Sequence, residues 1–256
     1  MLLDQKNKHE RDTRIEFNEE QHIYTIDKEQ GYTSVTQYIH SLFSPFDKKK
    51  VATGIVNSTK NKKPEYVNKT VDEIIKLWDD NCHQAATAGT KMHYDIECYY
   101  NDAPNENDSI EYKYFIDFKN KFNYLKPYRT EWCVFDKELM FAGSIDMVFY
   151  NENTKKYDIY DWKRCKCISK TNNWNKYSTN GLIDYIPDTN FWHYCLQLNI
   201  YKKILETNYN IEIDDLYIVC LHPNQTSYER HKIVNLQDEV KLLFDERLNY
   251  IRSIKK

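Results

Sequence analysis

Glycine is scarce in this chain: there are five among 256 residues, and none sits in a Gly-x-x-x-x-Gly-Lys loop. Without that loop there is no backbone cradle for nucleotide phosphates, which excludes a fused ATPase motor from this chain, though not from a partner. Long apolar runs are also missing; none approaches the roughly 20 residues of a membrane-spanning helix. The opening MLLDQKNKHERD lacks the charge-then-apolar order of a secretory signal, so the expectation is an intracellular protein with no membrane partner. Seven cysteines, at 82, 98, 133, 165, 167, 195 and 220, make an odd count. That argues for reduced thiols, as in a cytoplasm, a nucleus or a viral replication site, and against a disulfide framework. Basic charge is not in surplus either, the formal net charge being −3. A deficit of that size does not exclude nucleic-acid binding, because affinity comes from local phosphate contacts and not from the global sum.

What is present begins with a hydrophobic fraction of 41%, enough to bury one substantial core and consistent with a single domain over 1–256. Extended patterns at Arg14 to Ile26 predict a leading hairpin, followed by a helix from about Ser34 to Phe43. Thr70 and Glu73 form a capping-box signature that opens a helix through Trp78, and Gly89 marks its end or a kink before a second helix carrying His93. Phe115, Phe118, Phe122 and Leu125 recur at core spacing in a helix from about Ser109 to Leu125, closed by Pro127. A three-strand meander follows: Glu131 to Phe135, Phe141 to Tyr150 and Tyr157 to Lys163. Next come a helix containing Gln197, a strand at Leu216 to Leu221 and a terminal helix. The layout divides into an N-terminal hairpin and helical elaboration over 1–80, a core over 81–222 that holds the candidate chemistry, and a C-terminal helix within 223–256.

That chemistry centres on FAGSIDMVFYNENTKKYDIYDWK, from Phe141 to Lys163. Strand alternation puts Asp161 and Lys163 on one face and Tyr160 and Trp162 on the other. Neighbouring strands of such a hairpin bring two carboxylates, Asp146 and Asp161, close to one ammonium. Carboxylates hold Mg²⁺, and an ammonium beside them can position a water, which is equipment for phosphodiester hydrolysis. An acid-x-Lys triplet alone carries little weight, since the chain contains six, starting at Asp4, Asp47, Glu111, Asp117, Asp161 and Glu239. Only the one at Asp161 lies on an apolar strand and follows a Gly-x-x-Asp strand. The flanking order adds to it: Gly89-Thr-x-x-His93-x-x-x-Glu97, then Glu131, then Gly143-x-x-Asp146, Asp161-x-Lys163 and Gln197-x-x-x-Tyr201. His93 with Glu97, and Gln197 with Tyr201, are each i, i+4 pairs on one helical face. Taken singly, each pair reads better as an ordinary amphipathic helix with a stray polar residue; it is the whole order that carries weight.

In this order of motifs the chain resembles the RecB-like branch of the PD-(D/E)xK nuclease superfamily, and within it the small stand-alone exonucleases of phages, large DNA viruses and mitochondrial genome maintenance. The resemblance runs from about Tyr24 to Tyr201 and includes GYTSVTQYIHSLFSPFD, similar to the Ser-Val-Thr helix that opens many phage-type members. It implies an α/β, restriction-endonuclease-like core, a mixed central sheet flanked by helices with an added N-terminal helical region. It further implies a Mg²⁺- or Mn²⁺-dependent deoxyribonuclease acting in DNA replication, recombination or repair. Carried to matching positions, it makes His93, Asp146, Asp161 and the backbone carbonyl of Trp162 metal ligands and Lys163 the catalytic lysine. Glu97 and Glu131 become acids near the site, and Gln197 and Tyr201 hold the DNA backbone. Asp161 stands where many relatives have Glu. Some relatives carry an iron–sulfur cluster on four cysteines, three of them close together near the C-terminus. Here only Cys220 follows Cys195, so no cluster is expected, and Cys165-x-Cys167 reads as packing.

Local basic segments supply the expected contacts to DNA. Lys48, Lys49 and Lys50 follow the first helix, and Lys60, Lys62, Lys63 and Lys69 fall in a loop-like stretch whose plainer reading is solvated surface. KRCKCISKTNNWNKYSTN continues directly from Lys163; its Lys170 and Lys176 beside Trp174 and Tyr177 suit a single strand, charge tracking phosphates and rings stacking on bases. The expectation is therefore an exonuclease of little sequence preference that favours single strands or frayed ends. A structure-specific or nicking endonuclease on the same fold, and a noncatalytic nucleic-acid-binding protein, are the alternatives.

Overall fold

The computed structural model describes residues 2–59 and 62–255. The sheet that organises the chain is mixed and six-stranded. Its long strands are β4 (Leu125–Asp136), β5 (Phe141–Asn151), β6 (Lys156–Lys163) and β7 (Ile213–Cys220), with a short polar strand β8 (Glu229–Lys232) at the far edge. β4, β5 and β6 form the expected antiparallel meander; β6 and β7 are parallel, joined through helix α6 (Asn190–Asn208). The two-residue strand β3 (Thr33–Ser34) pairs in parallel with the start of β5 at Phe141 and Ala142. A separate hairpin, β1 (Ile15–Asn18) with β2 (Ile23–Ile26), lies where the sequence placed it, after the four-residue helix α1 (Leu3–Lys6).

Helices cover both faces, as expected of an α/β fold. On one side α2 (Val35–Ser41), α6 and α7 (Gln237–Ile254) bury Ile39, Leu196, Ile200 and Leu243 against Ile145, Val148, Ile159 and Ile218 of the sheet. On the other, α4 (Val71–Tyr100) and α5 (Ile110–Lys121) bury Met92, Ile96, Phe115 and Phe118 against Met147, Phe149, Tyr160 and Trp162. Each fully buried side chain of this size contributes on the order of 1.5–3 kcal/mol, so these faces hold the helices far more firmly than intrinsic propensity does. No helix among the described residues is long and apolar enough to cross a membrane.

Three expectations are corrected. The helices on either side of Gly89 are one, a 30-residue α4 opened by the Thr70–Glu73 capping box. A glycine inside a helix costs only about 1 kcal/mol, too little to break thirty residues of ladder. α5 ends at Lys121, and Leu125 and Pro127 belong to β4. The missing N–H of Pro127 is tolerated there because the register slips between Pro127 and Arg129 on an edge strand. Finally, Lys48, Lys49 and Lys50 form the first turn of a helix the sequence did not reveal, α3 (Lys48–Asn57), capped by Asp47. Of the basic stretch that follows, Lys60 lies outside the described residues, and Lys62 donates to the Val56 carbonyl at 2.7 Å.

Gly89 itself has nothing within 4 Å of where a Cβ would stand. Gly89→Ala therefore stabilises the protein, by roughly 0.5–1 kcal/mol from helix entropy alone, as read from urea denaturation midpoints. A lower midpoint would mean that this turn of α4 needs a bare backbone.

Candidate functional site

The site forms where β5 and β6 part. Their ladder runs from Asn151↔Lys156 to Met147↔Tyr160 and then stops, with Asp146 and Asp161 next in line. The Asp146 carboxylate takes the ladder's place: its Oδ2 accepts the backbone N–H of Trp162 at 2.8 Å. The Trp162 indole is buried, packed edge-on against Phe115 and Phe118, and this anchors the strand so that its carbonyl meets His93 Nε2 at 2.8 Å. His93 is brought across by α4, whose buried Met92 and Ile96 set the helix rotation.

On the other flank of β5, the β4 register places Glu131 between Thr130↔Met147 and Trp132↔Ile145, facing Asp146. Glu131 has φ 41°, a left-handed conformation rare for an L-residue and the kind of strain that persists only where surroundings enforce it. Ser144 Oγ donates to its Oε2 at 3.0 Å, while Oε1 lies 3.4 Å from His93 Nδ1. The same Nδ1 is 3.6 Å from Asp146 Oδ2. His93, Glu131 and Asp146 thus offer one nitrogen and two oxygens all within 4.8 Å of one another. Asp161 is buried close by, its Oδ2 in an ion pair with Lys163 Nζ at 2.6 Å. That oxygen is wholly buried against the ammonium.

Charge in this dry setting is strongly coupled. Burial pushes both aspartates up; Asp161 reaches about 6, raised further by the charge of Asp146 and held down by Lys163. Burial works against the charged forms of His93 and Lys163 as well, but the acids outweigh it. Asp146 and Glu131 bring His93 up to about 9, and Asp161 and Asp146 hold Lys163 well above the ordinary lysine value. Glu97 faces Glu131 across a cleft of about 310 Å³, and burial followed by that negative neighbour raises its pKa. Hard carboxylate oxygens with one imidazole, and Asp161 close by, are a donor set suited to a small divalent cation.

The grouping of donor side chains among the described residues differs from the expected arrangement in two ways. The Trp162 carbonyl, expected to face a metal, is bonded to His93, and Glu131 joins His93 and Asp146 more closely than Asp161 does. The cause is the turn of backbone at Glu131, invisible in a strand pattern. Gln197 and Tyr201, expected to hold the DNA backbone, are only 7% and 3% exposed. Gln197 lines a second cleft beside Lys163, and its Nε2 lies 3.4 Å from Asp161 Oδ1. Tyr201 packs on Gly143 so closely that a Cβ there would come within 2.5 Å of its hydroxyl. This gives the Gly-x-x-Asp and Gln-x-x-x-Tyr motifs a shared physical reason: bare backbone on β5 admits the ring from α6. Tyr194 was missed, although its place one turn before Gln197 on the same face would have found it; its ring centre is 5.0 Å from Lys163 Nζ.

The expected stacking residues are in the open. Trp174 is 81% exposed and Tyr177 47%, so neither ring is core, and Lys170 and Lys176 are exposed beside them. The loop is nonetheless tied. Asn172 Oδ1 accepts from the backbone N–H groups of Trp174 and Lys176, both at 3.0 Å, and Ser178 Oγ donates to the Leu42 carbonyl at 2.7 Å. No protein-family model and no curated protein sequence matches this chain.

A cation that enters at His93 Nδ1 must displace the proton held there up to about pH 9. Mn²⁺ affinity therefore rises with pH from 7 towards 9, by at most about tenfold per unit, with proton release on binding. It falls further below about pH 6 as Asp161 protonates. Calorimetry in two buffers of different ionisation enthalpy measures both effects; a flat affinity without proton release would remove His93 from the ligand set.

Proposed function

We propose that this chain is a Mg²⁺- or Mn²⁺-dependent DNA exonuclease on a restriction-endonuclease-like fold of the RecB-like PD-(D/E)xK type, serving DNA replication, recombination or repair. One observation carries the reading: α4, β4, β5 and β6 converge on a single point with His93, Glu131, Asp146, Asp161 and Lys163. Acids crowded together in a low-dielectric setting repel one another, and a bound cation would relieve that repulsion. His93, Glu131 and Asp146, with Asp161 beside them, would hold the ion. When bound, it supplies Lewis-acid neutralisation of charge on the scissile phosphate.

The remaining work falls to the chain's own residues. Lys163, fixed by Asp161, orients the attacking water and counters the charge that builds on the phosphate. The water oxygen bonds to phosphorus as the P–O3′ bond breaks, leaving a 5′-phosphate and a 3′-hydroxyl. Gln197, on the wall of the cleft beside Lys163, is placed to meet a backbone phosphate, a contact that positions DNA without reading its sequence. Tyr201 acts from behind, by fixing β5 and α6 relative to each other. Trp174 and Tyr177 offer faces on which unpaired bases stack, which favours single strands or frayed ends.

Asp146→Asn and Asp161→Asn each abolish hydrolysis of end-labelled linear DNA with Mg²⁺ or Mn²⁺, while DNA binding persists. Lys163→Ala loses on the order of 10²-fold or more in rate and keeps its metal affinity. Substantial cleavage by either aspartate variant would overturn the site, and cutting of covalently closed circles would select an endonuclease instead. Trp174→Ala costs about 1–3 kcal/mol in affinity for single strands and little for blunt duplex. Fluorescence anisotropy with both substrates at fixed salt reads the difference, and equal losses would remove Trp174 from strand recognition.

A further inference from the structure

Two thiols meet at the foot of the strand that carries Lys163. The Sγ atoms of Cys165 and Cys220 are 3.2 Å apart, and Cys220 Sγ also donates to the Cys165 carbonyl at 2.8 Å. The fold brings them together. β6 and β7 run parallel with Lys163 opposite Cys220, and Leu221 N–H donates to the Lys163 carbonyl at 2.8 Å. Just past that bond the chain leaves the sheet, and Cys165 turns over the end of β7. Gln225 Nε2, 3.2 Å from Cys220 Sγ, holds the second sulfur in place. Cys165 thus pairs with Cys220 and not with Cys167, which is exposed.

We propose that Cys165 and Cys220 are a modification site, a dithiol that peroxides close reversibly to a disulfide, and that closure displaces Lys163. A disulfide needs its sulfurs about 2.05 Å apart, so the pair at 3.2 Å lies roughly 1 Å short of bonding. Cys220 is fully buried whereas Cys165 is only partly so, which makes Cys165 the sulfur a peroxide reaches. The hydrogen bond between the two sulfurs holds Cys165 well above the ordinary thiol value and brings Cys220 down to about 7. Cys220 therefore takes the Cys165 proton as the Cys165 sulfur attacks one peroxide oxygen. The O–O bond breaks, the hydroxide that leaves takes up that proton to become water, and a sulfenic acid remains on Cys165. The Cys220 sulfur then attacks that sulfur and expels a second water. Two electrons pass from the thiols to the peroxide, and a reducing thiol returns them through the reverse exchange.

The consequence rests on the proposed nuclease reading. Cys165 is two residues from Lys163, whose ammonium must stay against Asp161 at 2.6 Å. Drawing Cys165 toward Cys220 pulls the backbone that sets this distance, and a misplacement of about 1 Å costs up to roughly 10²-fold in rate.

The test uses the full chain, reduced, then treated with hydrogen peroxide and quenched by alkylation. Peptide mapping is expected to find Cys165 linked to Cys220 before Cys82 or Cys167 is consumed. Cleavage of end-labelled DNA falls by an order of magnitude or more and returns with dithiothreitol. Cys165→Ser and Cys220→Ser keep their activity under the same peroxide. The proposal is overturned if both cysteines are recovered alkylated after activity has gone, or if the disulfide forms and the rate is unchanged. Should the reduced chain cut no DNA at all, the nuclease reading fails, while the mapping still accepts or rejects the disulfide.

Discussion

The site depends on one substitution in a hydrogen-bond ladder. Where β5 and β6 separate, the Asp146 carboxylate accepts the Trp162 N–H that a strand carbonyl would otherwise take. Antiparallel strands left to themselves keep pairing, because an unpaired buried N–H costs about as much as a lost hydrogen bond. An acid that takes over the acceptor's role lets the strands part without that cost. The opening admits His93 from one face of the sheet and Gln197 from the other. Asp146 is therefore structural and electrostatic at once, holding the fork open while its charge meets His93 Nδ1.

Electrostatics then set the state of the site. Asp146 and Asp161 are buried close to each other, and neither would stay ionised in such a place without compensation. His93 and Lys163 supply it: one imidazole between two acids, one ammonium against the third. A divalent ion entering there would replace the His93 proton. The same balance explains why the carboxylates cluster without tearing the sheet apart. His93 sits between Glu131 and Asp146 and Lys163 lies against Asp161, which offsets the repulsion among these acids.

Rigid and open parts are divided cleanly around this centre. Behind it, α6 is locked by Leu196, Ile200 and Ile204 in the core and by Tyr201 against Gly143. In front, the segment from 164 to 189 leaves the sheet with exposed aromatic and basic side chains, yet its backbone is tied by Asn172 and Ser178. A surface of this kind presents its rings on a held backbone. Cys165 stands at the boundary between the two regimes, attached to the rigid sheet on one side and the loop on the other.

Much was legible from residue order alone. Alternation along Phe141 to Lys163 gave the meander and the shared face of Asp161 and Lys163, because a strand has period two whatever packs on it. Capping chemistry placed the start of α4, since Thr70 acts within one turn of backbone. Chain order also brought His93, Asp146, Asp161 and Lys163 into one group. Other features came only from tertiary structure, because they depend on partners far away in the chain. The continuity of α4 through Gly89 follows from packing that outweighs a small local propensity. The end of α5 at Lys121 follows from the pairing of Leu125 with Asn151, which claims for β4 an apolar residue that helical spacing had assigned to the helix. The left-handed backbone of Glu131, the burial of Tyr201 over Gly143 and the meeting of Cys165 with Cys220 have no local signature at all. A residue's type and spacing determine what it can do and which way it faces; only the packed sheet decides which groups it meets.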